Sequence, residues 1–190
     1  MITQSTPADA HGTGSPTRIT CILPAYNEAA NLPKLIPLLT QTLADQAEQI
    51  TLLVVDDGSS DDTAAVTLLL ARDYPVELLQ LSRNFGKENA VTAGLDHADA
   101  DAVIIMDSDC QHPVETLHAF VREWRQGADM VVGVRTDRTD QSAWRGMASR
   151  LFYRLLRRST NVNIRPDAGD FRLMDRRVVE AIRQLPESNR

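Results

Sequence analysis

The chain has 190 residues, 43% of them hydrophobic and 24% charged, enough for one α/β domain whose core can fold alone; no second domain is expected. Its formal net charge is -6, and no run of about 18 apolar residues offers a membrane-spanning helix. Cys21 falls in a predicted strand and Cys110 beside an acidic turn, a number and spacing that exclude a disulfide framework or a zinc site and fit a reducing compartment.

Residues 1 to 17, rich in Thr, Ser, Pro, Gly and Ala, lack a basic segment followed by an apolar stretch, so they read as a disordered tail and not as a secretory signal. From there, strand-like runs at 19 to 24, 50 to 56, 76 to 81, 101 to 107 and 129 to 135 alternate with helical patterns at 28 to 46, 62 to 73, 86 to 98 and 113 to 127. That alternation specifies βαβ units and a mostly parallel sheet. The unbroken apolar runs Leu52-Leu53-Val54-Val55 and Val103-Ile104-Ile105-Met106 suit strands covered on both faces by helices. Asp61 or Asp62 is placed to cap the second helix, and Pro113 fits the first turn of the fourth, with Glu115 near its positive end. After Arg135 the rhythm changes: a polar loop at 136 to 142, a helix at 143 to 158, a loop at 159 to 170 and a last helix at 174 to 185 are expected.

The charge is unevenly spread. Between Arg135 and Arg165, eight arginines are opposed by two aspartates, Asp137 and Asp140, an asymmetry that marks a surface for anionic partners or a solvated helix face. Within the expected helix, Arg145, Arg150, Arg154, Arg157 and Arg158 accompany Leu151 and Leu155, a composition suited to an anionic membrane surface and equally to an amphipathic helix packed on the core.

Three predicted strands end in polar clusters: Pro24-Ala25-Tyr26-Asn27-Glu28, Asp56-Asp57-Gly58-Ser59 and Asp107-Ser108-Asp109. In one parallel sheet these ends face one crevice, where α/β proteins hold ligands. The acid triplet, with Gln111 two residues beyond, offers the hard oxygens that Mg²⁺ or Mn²⁺ prefers, completed by water and substrate phosphates. An isolated pair of acids is more often a solvated loop or a helix cap, and its position after a buried strand is what reverses that reading here. One of Asp56 and Asp57 is a candidate acceptor for a base N–H or ribose hydroxyl, the other being expected to cap a helix or stay solvated. Tyr26 offers a face for a base and Glu28 an acceptor. Arg83, Asn84 and Lys87 leave the third strand where they can line the same crevice, though a helix start at Gly86 accounts for them equally. His112, with no second histidine at ligand spacing, reads as a turn residue.

The segments P-A-Y-N-E, V-V-D-D-G-S-S-D, S-R-N-F-G-K, M-D-S-D-C-Q-H-P and G-D-F-R-L-M-D-R, in this order and spacing, resemble the inverting family 2 glycosyltransferases, and among them the polyprenyl-phosphate glucosyl- and mannosyltransferases, over residues 18 to 190. The resemblance implies a GT-A-type fold, a mostly parallel central sheet flanked by helices. It implies a nucleotide-sugar site at Pro24, Ala25, Tyr26, Glu28, Asp56, Asp57, Asp107, Ser108 and Asp109, with Arg135 as a further contact, and a Mg²⁺ or Mn²⁺ site at Asp107, Asp109 and Gln111. It assigns Asp170 as candidate base and Arg172 as anchor for the acceptor phosphate, a role suited to the bidentate guanidinium. The implied partners are a nucleoside-diphosphate sugar, UDP-glucose before GDP-mannose, and a polyprenyl phosphate such as undecaprenyl phosphate at the inner face of the cell membrane; no nucleic acid is expected. Proteins of this type commonly continue beyond the point where Arg190 ends the chain, so a truncated catalytic domain is the expectation. Two rivals are a non-catalytic nucleotide-sugar binding module and a Mg²⁺-dependent phosphatase of the haloacid dehalogenase type, which also places Asp-x-Asp after a strand.

Overall fold

The structure, a computed structural model, describes residues 17–134 and 168–184. Six strands, β1 (Arg18–Ala25), β2 (Gln49–Asp56), β3 (Val76–Gln80), β4 (Ala102–Ile105), β5 (Met130–Val134) and β6 (Ala168–Asp175), form one sheet in the order β3-β2-β1-β4-β6-β5. Five described helices accompany them: α1 (Leu32–Ala44), α2 (Thr63–Leu70), α3 (Lys87–His97), α4 (Thr116–Arg125) and α5 (Arg176–Arg183). β1 to β4 are mutually parallel, while β6 runs antiparallel to both β4 and β5. The carboxyl ends of β1 to β5 and the amino end of β6 therefore share one edge. Strand order reverses at β1, which pairs with β2 on one side and β4 on the other, the position where open α/β sheets form a crevice.

Alternation within the strands divides the core between two faces. Cys21, Leu23, Leu52, Val54 and Ile104 pack with Leu35, Leu39 and Leu43 of α1 and Leu117, Phe120 and Trp124 of α4. Ile22, Leu53, Val55, Val103 and Ile105 face Val91 and Leu95 of α3 and Val179 of α5. Burial on both faces explains why the central strands read as unbroken apolar runs. Cys21, wholly buried in β1, has its thiol pushed up to about 12 by that burial and acts as a small core hydrophobe.

The structure corrects several expected boundaries. α1 begins at Leu32 and not at residue 28, because residues 27–29 are tied to the β2–α2 loop. Residues 168 to 175 form strand β6, where a loop and the start of a helix were expected. Gly169 and Asp170 gave that stretch a turn-like composition, and the strand pattern is confined to Phe171 and Leu173, both buried, flanking the half-buried Arg172. Pro113 belongs to the turn before α4, its carbonyl accepting the Thr116 N–H at 3.1 Å. Thr17, assigned to the tail, accepts from the N–H groups of Glu48 and Gln49. The expected helix at 143 to 158, with its arginines, and the remainder of the tail lie outside the described residues.

The junction of β6 and α5 is held by Asp175, 4% exposed. Its Oδ1 accepts the Arg177 N–H at 3.0 Å, capping α5, and its Oδ2 accepts the Trp124 indole N–H at 2.8 Å. Burial pushes the Asp175 pKa up, but hydrogen bonds from Arg177 and Trp124 and the Arg177 charge outweigh it, leaving the carboxyl below its usual value. A lowered folded-state pKa gives stability that is complete above the unfolded value of about 3.9 and is lost as pH falls through the folded value. Asp175→Asn should therefore flatten the acid limb of a stability profile measured by urea unfolding, and cost roughly 1–2 kcal/mol at neutral pH as the cap weakens. An acid limb of unchanged steepness would remove Asp175 from this role.

Candidate active site

The strand exits are joined by hydrogen bonds before any ligand is considered. Asn27 adopts φ 60, a left-handed conformation that asparagine tolerates, and this turns its side chain toward the β2–α2 loop. Its Oδ1 accepts from the Ser60 N–H at 2.9 Å, while its own N–H donates to Ser59 Oγ at 2.9 Å. The Glu28 N–H donates to Thr63 Oγ1 at 2.8 Å. The exit of β4 is fastened to that of β1 through buried Ser108, whose hydroxyl donates to the Pro24 carbonyl at 2.8 Å.

Neither Asp56 nor Asp57 caps a helix or stays solvated, as was expected of the one that does not serve as a ligand acceptor. Both are buried, at 0% and 3% exposure, and the α2 turn is instead tied by Asp61, whose Oδ1 accepts the Thr63 N–H at 3.0 Å. Asp56 accepts from the Ser59 N–H at 2.9 Å and from Gln80 Nε2 at 3.1 Å. Asp57 reaches the next loop: its two oxygens accept the N–H groups of Phe85 at 2.7 Å and Gly86 at 2.8 Å, while its own N–H donates to the Ala25 carbonyl at 2.8 Å. Gly58 completes this junction at φ 64, since a Cβ there would stand 2.3 Å from the Arg83 carbonyl carbon.

These connections enclose a cavity of about 360 Å³ at the carboxyl edge. The β1 exit supplies Pro24, Ala25, Tyr26 and Glu28; the β2 turn supplies Asp57; the β4 exit supplies Asp107, Ser108 and Asp109. The three clusters expected to meet do meet. Of Arg83, Asn84 and Lys87, which the sequence left between two readings, Asn84 and Lys87 complete the wall together with Gly86, and Arg83 is not part of the lining. Asp56 lies beneath it and is not part of the lining. Gln111 is exposed and also outside the lining; its N–H donates to Asp109 Oδ1 at 3.0 Å. Arg172 lies on β6 opposite Ile105, with Nε buried and unpaired among the described residues. Asp170 occupies the same strand two residues nearer the shared edge. Arg135 is outside the described residues.

The wall is acidic, with Glu28, Asp57, Asp107 and Asp109 against Lys87. Lys87 Nζ lies 2.5 Å from Asp107 Oδ1, and His112 Nε2 lies 3.7 Å from Asp107 Oδ2. His112 also stacks on Phe171 of β6, with ring centroids 4.8 Å apart, so it bridges two parts of the site where a simple turn residue was expected. Among the described residues, no three His, Cys, Asp or Glu side chains are arranged to hold a metal by themselves. Asp107 and Asp109 nevertheless fit the way Mg²⁺ and Mn²⁺ are commonly held, by one or two carboxylates with substrate phosphates and water.

A six-stranded sheet of this order, with its crevice at the β1–β4 edge, defines a GT-A-type α/β fold. Two solved structures share it: mannosyltransferase PcManGT from Pyrobaculum calidifontis in complex with GDP-Man and Mn²⁺, with a TM-score of 0.55 at 24% identity over 94% of this chain and 50% of that one; and glucosyl-3-phosphoglycerate synthase from Mycobacterium tuberculosis with Mn²⁺, UDP-glucose and phosphoglyceric acid, with a TM-score of 0.61 at 21% identity over 85% and 58%. Residues 20–183 match the model of glycosyl transferase family 2, and the chain belongs to that family. It is 36% identical to the prophage bactoprenol glucosyl transferase homolog of Escherichia coli and 37% identical to the bactoprenol glucosyl transferase of Shigella phage SfV, in each case over 90% of this chain and 56% of the relative. An uncharacterized glycosyltransferase of Synechocystis is 39% identical over 90% of this chain and 54% of its own length. The chain thus spans about half the length of the curated relatives it matches. Family membership sets aside the haloacid dehalogenase reading of Asp-x-Asp.

Because Asp57 fixes the β3–α3 loop through two backbone donors, Asp57→Ala should raise amide hydrogen exchange at Phe85 and Gly86 by about tenfold or more, the equivalent of a lost charge-assisted hydrogen bond. Unchanged exchange at those amides would show that the loop is held by other contacts.

Proposed function

We propose that this chain carries out metal-dependent, inverting transfer of a hexose from a nucleoside-diphosphate sugar to a polyprenyl phosphate at a membrane surface, with UDP-glucose the favoured donor, GDP-mannose the second, and undecaprenyl phosphate the acceptor. The observation that carries this reading is the convergence of Tyr26 and Glu28, Asp57, and Asp107 to Asp109 on one cavity, with Arg172 on the adjacent strand. The bactoprenol glucosyl transferases among the relatives support the acceptor and the sugar.

In this reading Tyr26, 48% exposed at the rim, offers its ring to the base, and Glu28 accepts from the nucleoside. Asp107 and Asp109 would hold Mg²⁺ or Mn²⁺, which when bound would supply positive charge to offset that developing on the diphosphate leaving group. Arg172 anchors the acceptor phosphate through its planar fork. One acceptor oxygen forms a bond to the anomeric carbon from the face opposite the diphosphate as the sugar–diphosphate bond breaks, so an α-linked donor yields a β-linked product. A phosphate acceptor is already anionic near neutral pH, and Asp170 serves mainly to orient Arg172. The arginines between residues 135 and 165 supply the attraction to anionic headgroups.

Calorimetry with UDP- and GDP-sugars, with and without Mn²⁺, tests the donor half. Asp109→Ala should abolish the Mn²⁺ dependence of donor affinity and lower transfer by about 10²–10³-fold; donor affinity still dependent on Mn²⁺ would refute the metal assignment. Arg172→Ala should raise the acceptor KM roughly 10- to 100-fold while sparing donor binding, as expected for losing hydrogen bonds to a charged partner. Equal loss of donor and acceptor binding would reject that role, and donor binding without transfer in the unmodified chain would favour a non-catalytic module.

A further inference from the structure

Lys87 opens α3 directly after Gly86, and its side chain borders the cavity opposite Asp107. Their ion pair is short, 2.5 Å, yet the two side chains are 39% and 29% exposed. A pair so open to water contributes little to folding. Its position has a larger consequence for binding. Asp107 Oδ1 carries the ammonium and Oδ2 faces His112, so a divalent cation approaching Asp107 meets a positive charge already there. Two cations on one carboxylate repel each other, which weakens the hold on the one already there. The Lys87 ammonium can leave, being a compact charge on a flexible four-carbon stem. A diphosphate in the same cavity offers it a new partner, beside the amino end of α3, where the helix dipole also favours negative charge.

We propose that Lys87 and the divalent cation are alternative counter-ions of Asp107, and that Lys87 passes from Asp107 to the donor diphosphate when the cation binds. Lys87 is then a donor-binding residue that makes cation and diphosphate bind as a pair. Each ligand raises the other's affinity, because the cation releases the ammonium that the diphosphate takes up, and the two effects are equal by linkage. The inference rests on the proposed donor site and assigns a role within it to a residue that neither the sequence nor the resemblance had fixed.

The test is calorimetry on the full chain with Mn²⁺ alone, with UDP and GDP alone, and with Mn²⁺ plus each nucleotide. Lys87→Met should bind Mn²⁺ alone about tenfold more tightly, and the factor by which Mn²⁺ strengthens nucleotide binding should fall about tenfold, within the usual range of coupling between sites. Lys87→Arg, which keeps the charge, should stay near the unmodified chain for Mn²⁺ alone. If the unmodified chain shows Mn²⁺-dependent nucleotide binding and that dependence survives intact in Lys87→Met, the Lys87 exchange is wrong while the donor site stands. Nucleotide binding with no response to Mn²⁺ in the unmodified chain would overturn both.

Discussion

Asp57 is the residue on which the shape of the cavity depends. A carboxylate this deeply buried is costly unless its oxygens are hydrogen-bonded. Here they are, by two backbone N–H groups of the β3–α3 loop, while the same residue's N–H reaches back to β1. One residue, through its side chain and its backbone N–H, thus fixes the relative position of three strand exits. Gly58 allows the contact, because only a residue without Cβ leaves room for the Arg83 and Asn84 backbone. The cavity wall formed by Asn84, Gly86 and Lys87 follows from that closure.

The acids at this edge separate by exposure into two groups. Asp56 and Asp57 are buried, and their oxygens are occupied by protein donors that hold the loops. Asp107, 29% exposed, keeps its carboxylate in the cavity, where its partners are side chains able to move away. The first group makes the rim rigid and the second leaves charge available to a ligand. An arrangement with all three acids exposed would lack the rigidity, and one with all three satisfied internally would have nothing left for a cation.

How far the sequence reveals this follows from the same physics. The strands β1, β2 and β4 were legible because burial on both faces demands unbroken apolar runs. Their polar exits were legible because a parallel sheet sends such ends to one edge. The division between Asp56 and Asp57 was not, since it depends on a hydrogen bond to a loop 28 residues away in the chain. β6 was hidden because only Phe171 and Leu173 show its alternation, and an edge that carries Gly169 and Asp170 looks like a turn. Lys87 stayed ambiguous because a lysine at a helix start gives no sign of the carboxylate opposite. The link from His112 to Phe171 depends on β6 lying beside β4, which local spacing does not contain.

The antiparallel direction of β6 carries its own consequence for the site. A parallel strand arrives at the crevice with its carboxyl end, and the chain must then leave through a loop over the cavity. β6 begins at that edge and runs inward, pairing with β5 from Ala168 and with β4 from Arg172, so Arg172 enters beside the β4 exit paired on both sides. Pairing of Arg172 with Ile105 on one side and Val132 on the other restrains the guanidinium's backbone from both directions. The Phe171 ring, packed between His112 and Phe120, adds a side-chain restraint one residue away. The cavity-lining groups of the β1 and β2 exits and the β3–α3 loop therefore hang from loops tied together by buried carboxylates, whereas Arg172 is set by strand register. A shift of β6 by one residue would exchange the faces of Arg172 and Phe171, taking the ring out of its packing with His112 and Phe120 and putting the guanidinium there instead, so one register sets both the core packing and the position of Arg172.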